Sequence, residues 1–149
     1  MKIYIGADHR GFKLKNKIGA FLKKYGHQVI DCGTKNDAES CDYPVIAYKV
    51  AKAVAKNKNA RGVLVCMSGI GQAIAANKVK GAYAALCYNA QAAALSRQHN
   101  NSNILVLSGR FVKPKGLPAM LKIWLTAKFE GGRHLRRFRQ IQKIENSER

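Results

Sequence analysis

From Tyr43 to Phe129 the sequence holds no aspartate or glutamate, and the whole chain has eight acids against 27 lysines and arginines. Proton-transfer chemistry therefore falls to Cys66, to His99, or to one of the few acids near the ends, such as Asp8. A divalent-metal site built from several carboxylates is disfavoured, because hard cations want clustered oxygen ligands. Cys66 closes an apolar run, Val63-Leu-Val-Cys66, and is followed by Met67-Ser-Gly-Ile-Gly71 and a helical pattern. Glycines there let backbone N–H groups turn inward, and a helix start favours an oxyanion, a phosphate or a thiolate. That placement predicts a lowered thiol pKa for Cys66. The plain alternative is a strand-to-helix turn with a small buried cysteine.

The elements that must position these residues alternate along the chain. Strand patterns cover 2–6, 28–32, 62–66, 82–87 and 103–108. Helical spacing covers 12–24, a segment opening at Pro44, then 72–80, 89–98 and 117–128. A last basic helix is expected from about Arg133, fraying before Arg149. Such alternation predicts an α/β fold, with a doubly wound, Rossmann-like sheet of five parallel strands and helices on both faces, in one domain over 1–149. The length suffices for a real core, and 47% hydrophobic residues argue against disorder. The opening Met1-Lys-Ile-Tyr-Ile is expected to be a strand rather than a leader, and no apolar run reaches a membrane span, so a soluble, cytoplasmic protein is expected. Cys32, Cys41, Cys66 and Cys87 lack CxxC spacing, which predicts reduced thiols rather than disulfides or a zinc site.

In open α/β sheets the ligand lies beyond the carboxyl ends of the strands. Asp8-His9-Arg10-Gly11, Asp42-Tyr43, Cys66 to Gly71 and Gly109-Arg110 fall at or near such ends. His99-Asn100-Asn101 precedes a strand and belongs at the opposite edge, so a catalytic His99 would serve a neighbouring subunit's site. Arg133 and Arg137 stand at i and i+4 and set two guanidinium forks on one face, suited to a phosphate. Blander alternatives exist at each place. Asp8 and His9 could cap a helix, His99 and the asparagines could end one, and the arginines could form a solvated face. Neither the Walker pattern nor the dinucleotide fingerprint is completed, since Phe12-Lys13 follows Gly11 and Ile74 stands where a third glycine belongs.

The series Gly6-Ala-Asp-His-Arg-Gly-Phe12, Asp42-Tyr-Pro44, Cys66-Met-Ser-Gly-Ile-Gly71, Ala75-Ala-Asn-Lys78, Arg97-Gln-His-Asn100, Ser108-Gly-Arg110 and Glu130-Gly-Gly-Arg-His134 with Arg137 resembles type B ribose-5-phosphate isomerase, in order over nearly the whole chain. The resemblance implies an aldose–ketose isomerase of the non-oxidative pentose phosphate pathway, working through an enediolate without metal or other cofactor. It implies sites shared between two subunits of a homodimer, with a tetramer as the alternative assembly and the C-terminal helix packed on the partner. By the same resemblance Cys66 carries the proton from C2 to C1. Ser68 and the loop amides of Gly69 and Gly71 hold the enediolate oxygen. His99 and Asp8 help open the sugar ring, Asn100 and Tyr43 line the sugar, and His9, Arg110, Arg133 and Arg137 hold the phosphate.

Related hexose-6-phosphate isomerases, acting on allose or galactose phosphates, share the fold and are the alternative activity. Three residues depart from the family pattern: Met67 puts a Cβ beside the cradle, Gln72 stands where some members keep a glutamate, and Asn101 replaces a frequent aspartate. A net charge of +19 and a pI near 10.2 raise nucleic-acid binding as a rival function. The scattered basic residues, the 8% aromatic content and the lack of a recognition motif make such binding adventitious.

Overall fold

The computed structural model describes residues 1–147. Five strands alternate with helices: β1 (Lys2–Ala7), α1 (Phe12–Lys24), β2 (Gln28–Asp31), α2 (Tyr43–Lys56), β3 (Arg61–Cys66), α3 (Ile70–Ala76), β4 (Ala84–Leu86), α4 (Ala90–Gln98), β5 (Ile104–Ser108), α5 (Leu117–Thr126) and α6 (Gly132–Ser147). All four strand pairings are parallel, in the order β2-β1-β3-β5-β4. The expected five-stranded, doubly wound parallel sheet is therefore the fold.

Period-2 alternation splits β3 between the two faces. Val63 and Val65 join Ile3, Ile5, Leu105 and Leu107 under α1, α4 and α5, with Trp124 and Leu121 of α5 at its centre. Leu64 faces the other way, with Ile104 and Val106, under Val50 and Val54 of α2 and Ala76 of α3. Strands buried on both faces explain why the sequence shows apolar runs rather than clean alternation. No helix among the described residues is long and apolar enough to cross a membrane.

Element ends depart from the expected bounds where side chains take over backbone hydrogen bonds. Helix α3 begins at Ile70 and ends at Ala76, not Lys80, because the Asn77 amide bridges to β4: its Nδ2 donates to the Ala84 carbonyl and its Oδ1 accepts the Ala84 N–H. Strand β4 starts late because the Tyr83 N–H donates to Asn103 Oδ1 at 2.7 Å instead of joining the ladder. Asn89 stands outside α4 as its N-cap, its side chain accepting from the Ala92 N–H. Helix α5 stops at Thr126, and Arg61 donates to the carbonyls of Trp124 and Leu125 beside that end. The expected fraying near Arg149 concerns residues 148–149, outside the described ones.

The chain goes from β1 outward to β2, returns to β3 on β1's other side, and fills the remaining sheet with β5 and β4. A crevice thus opens beyond the carboxyl ends of β1 and β3, the place where such sheets bind ligands.

Candidate active site

Asp8 and His9 leave the end of β1, and Cys66 ends β3 beside them. Asp8 is buried, and its Oδ1 accepts the Gly11 N–H at 3.0 Å. That bond closes the turn before α1, whose N-cap is Gly11 without a side-chain cap. His9 Nδ1 accepts the Cys41 N–H at 3.3 Å, which in the neutral ring leaves the proton on Nε2. Gly69 has φ +87°, a left-handed conformation that favours glycine. With it the loop folds back, and the Gly69 N–H donates to Cys66 Sγ at 3.1 Å. The amides of Ser68 and Gln72 also favour a charged sulfur. The cradle read from the sequence thus encloses the thiol itself. Met67 is not among the positive-φ residues, so its Cβ costs no backbone strain.

The expected lowering of the Cys66 pKa is corrected by the structure. Cys66 is 6% exposed, and burial pushes its thiol above the ordinary value, with the Asp8 charge adding to the rise. The loop N–H groups pull the other way without winning. A helix start lowers a thiol pKa only where water or dipoles also solvate the anion, and here desolvation dominates.

Around the sulfur the loop is held from three sides. Ser108, at the end of β5, donates its hydroxyl to the Met67 carbonyl at 2.6 Å and accepts from the N–H groups of Arg110 and Phe111. Arg10 reaches Met67 Sδ at 3.4 Å. Tyr43, at the start of α2, lies so close to Gly71 that a Cβ there would meet its ring at 2.5 Å, so only glycine lets the two approach. Tyr88 directs its hydroxyl to the Ser68 carbonyl at 3.5 Å. Asp8, His9, Tyr43, Cys66, Ser68, Gly69, Gly71 and Arg110 are therefore on one rim. Gln72 is fully buried, and neither amide atom of its side chain has a partner.

His99, Asn100, Arg133 and Arg137 lie elsewhere, as their position before β5 and on α6 requires. His99 stacks on His134, ring centroids 4.0 Å apart and planes within 6°. Glu130 Oε2 sits 3.7 Å from His99 Nε2 and 3.6 Å from His134 Nε2. Arg133 Nε donates toward His134 Nε2 at 3.5 Å. Burial first, then the charges of His99 and Arg133, hold the His134 pKa below the usual imidazole value against the pull of Glu130.

The ligating atoms of His99, Glu130 and His134 lie within 4.8 Å of one another. Two parallel rings cannot both aim their in-plane lone pairs at one ion, however, and the flanking arginines oppose a cation. The group is better built to face an anion. Sequence reasoning did not give Glu130, His134, Ser108 or Tyr88 a role. The i, i+4 spacing of Glu130 and His134 was the available signal for the first two.

One chain thus presents two separate polar clusters, a loop cluster around Cys66 and a histidine–arginine cluster around His99. The model of the ribose/galactose isomerase family matches residues 3–141. The chain belongs to this family. The isomerase is 44% identical over 144 residues to ribose-5-phosphate isomerase B of Escherichia coli, covering 97% of this chain and 96% of that one. Its structure is similar to that of ribose-5-phosphate isomerase B of Clostridium thermocellum, with a TM-score of 0.96, 47% identity and full coverage of both chains. It is similar as well to the Mycoplasma genitalium enzyme with bound ribulose-5-phosphate, with a TM-score of 0.93, 43% identity, and 97% and 96% coverage.

Proposed function

We propose that this isomerase interconverts ribose-5-phosphate and ribulose-5-phosphate through an enediolate, without metal, in a site completed by a second copy of the chain. The observation that carries the reading is Cys66, buried at the β1/β3 crevice with the loop N–H groups turned toward its sulfur. As thiolate, Cys66 removes the C2 proton of the open-chain aldose. The C–H electron pair becomes the C1–C2 double bond and the O1 carbonyl becomes the enediolate oxygen. The Ser68 hydroxyl and loop amides stabilise that charge, and the proton of O2 passes to O1. The Cys66 thiol then protonates C1, leaving the ketone at C2, so that atoms and charge balance.

Asp8, with His99 from the second copy, opens the ring. Tyr43 and Asn100 line the sugar, and His9, Arg110, Arg133 and Arg137 hold the phosphate. A shared site gives His99 and the α6 arginines a purpose they lack within one chain. It also covers the exposed Ile141 and Ile144 of α6. Four free cysteines support a reducing, cytoplasmic setting.

The test is a substrate panel of ribose-5-phosphate, allose-6-phosphate and galactose-6-phosphate, each with EDTA. Ribose-5-phosphate is expected to give the highest kcat/KM, undiminished by the chelator. A preferred hexose phosphate would move the assignment to the alternative activity, and turnover that needs an added divalent ion would refute the mechanism.

A further inference from the structure

At the edge of the sheet opposite Cys66, a cavity of about 550 Å³ lies among the starts of β3 and β5, the turn after α4, and α6. That volume is within the range of small-molecule sites, roughly 300–1,000 Å³. Its lining includes Arg61, Arg97, Lys58, Asn101, Tyr83 and Gln142, and no lining residue is acidic. Arg97 is 9% exposed. Its Nη1 donates to Asn101 Oδ1 and to the Ser102 carbonyl, while its buried Nε has no partner. Arg61, half-buried, donates through Nη1 to the carbonyls of Trp124 and Leu125 and stacks on the Trp124 ring at 5.1 Å.

Both guanidiniums therefore bond to neutral oxygens through one nitrogen and keep further N–H groups unspent, since each offers five. Among the described residues no carboxylate lies within 4.0 Å of either. Glu145, outside the lining, is held by the Gly81 N–H and the Tyr83 hydroxyl, two residues of the cavity wall. The neutral Asn101 gives Arg97 a hydrogen bond without a counter-charge.

We propose that this cavity is a second anion site, taking a small phosphate-bearing molecule with two or more negative charges, such as a pyrophosphate or bisphosphate group. Two guanidinium forks, one of them with a buried orphan donor, match phosphate oxygens, and burial of like charges without a counter-ion is a cost that such a ligand removes. Burial, and then the charge of Arg97, lowers the Arg61 pKa to about 10. Arg133 and Arg137, proposed above to hold the substrate phosphate, do not line the cavity. Arg97, Asn101 and Ser102 flank the turn that carries His99 and Asn100, so an occupant also braces that turn.

The experiment is calorimetric titration of the full chain with pyrophosphate at low salt. The background is Arg137→Ala, which weakens the proposed substrate-phosphate grip. Binding is expected to persist there with one site per chain, and Arg61→Met, which keeps the packing stem, to weaken it by about tenfold or more. Asn101→Asp, which supplies the missing counter-charge at a position of φ 49° that aspartate tolerates, is expected to weaken it several-fold and to raise thermal stability. It is the independent variant should Arg61→Met fail to fold. Binding abolished by Arg137→Ala alone, or unchanged by both cavity variants, overturns the second site. Isomerase turnover of the Arg61→Met chain is read separately, so that loss of the anion site and failure of the proposed activity remain distinct.

Discussion

At the scale of single residues the proposed chemistry turns on the sign of one pKa shift. A thiol pushed above its ordinary value is protonated at neutral pH, and its thiolate fraction grows roughly tenfold per pH unit below the pKa. Iodoacetamide is thus expected to alkylate Cys66 of the free chain more slowly than free cysteine at about pH 7, and progressively faster as pH rises. Alkylation at neutral pH faster than that of free cysteine would show that the loop amides outweigh burial. Cys66→Ala is expected to lower kcat by about 10²–10⁴-fold, the usual contribution of a positioned base, with the fold intact by circular dichroism. The identity and neighbourhood of Cys66 were legible in the sequence because a strand end, a hydroxyl and two glycines are adjacent in the chain. The sign of its shift was not. It depends on how completely β1, β5 and their loops close over the sulfur, and no local spacing encodes that.

At the scale of elements, one buried lysine fastens the first crossover next to Asp8. Lys15 of α1 is 1% exposed and donates to Asp31 Oδ2 and to the Thr34 carbonyl, each at 2.7 Å. The loop it grips runs along the end of β1, where the Thr34 N–H donates to the Ala7 carbonyl. Burial acts to raise the Asp31 pKa, but the Lys15 ammonium, the Gly33 N–H and the charge of Lys35 outweigh it and leave the value lowered. Asp31→Ala strands the ammonium and is expected to cost about 1.5–3 kcal/mol at neutral pH, the range for a charged hydrogen bond. A depressed carboxyl pKa stabilises above its unfolded value and loses that contribution as pH falls through the folded one. The gap between wild type and variant in urea midpoint should therefore close below pH 3.8. A gap that persists there would mean that Asp31 acts by packing alone. The alternation of elements was readable because each strand is an apolar run bounded by polar turns. Their ends shifted where Asn77 and Asn103 substitute side-chain amides for backbone partners across the fold, pairings without a sequence period.

For the whole molecule, His99 precedes its strand and so was expected at the edge opposite Cys66, and its cluster with His134 and Glu130 is separate from Cys66 in one chain. If two copies complete each other, Cys66→Ala and Arg137→Ala damage different subunits of the same site. Co-expressed, these poorly active chains are expected to regain about a quarter of wild-type activity, because random pairing makes half of the dimers mixed and each mixed dimer has one intact site of two. No recovery would place the whole reaction within single chains. The single tryptophan offers a further handle. Trp124 is fully buried, its indole N–H donates to Ser102 Oγ at 3.0 Å, and Arg61 covers its face. The chain thus carries one indole fluorophore, selectively excitable at the red edge of protein absorption and in contact with Arg61 of the cavity wall. Pyrophosphate should change its emission and Arg61→Met should abolish that response, while alkylation of Cys66 should leave the spectrum unaltered, giving each edge of the sheet its own optical readout.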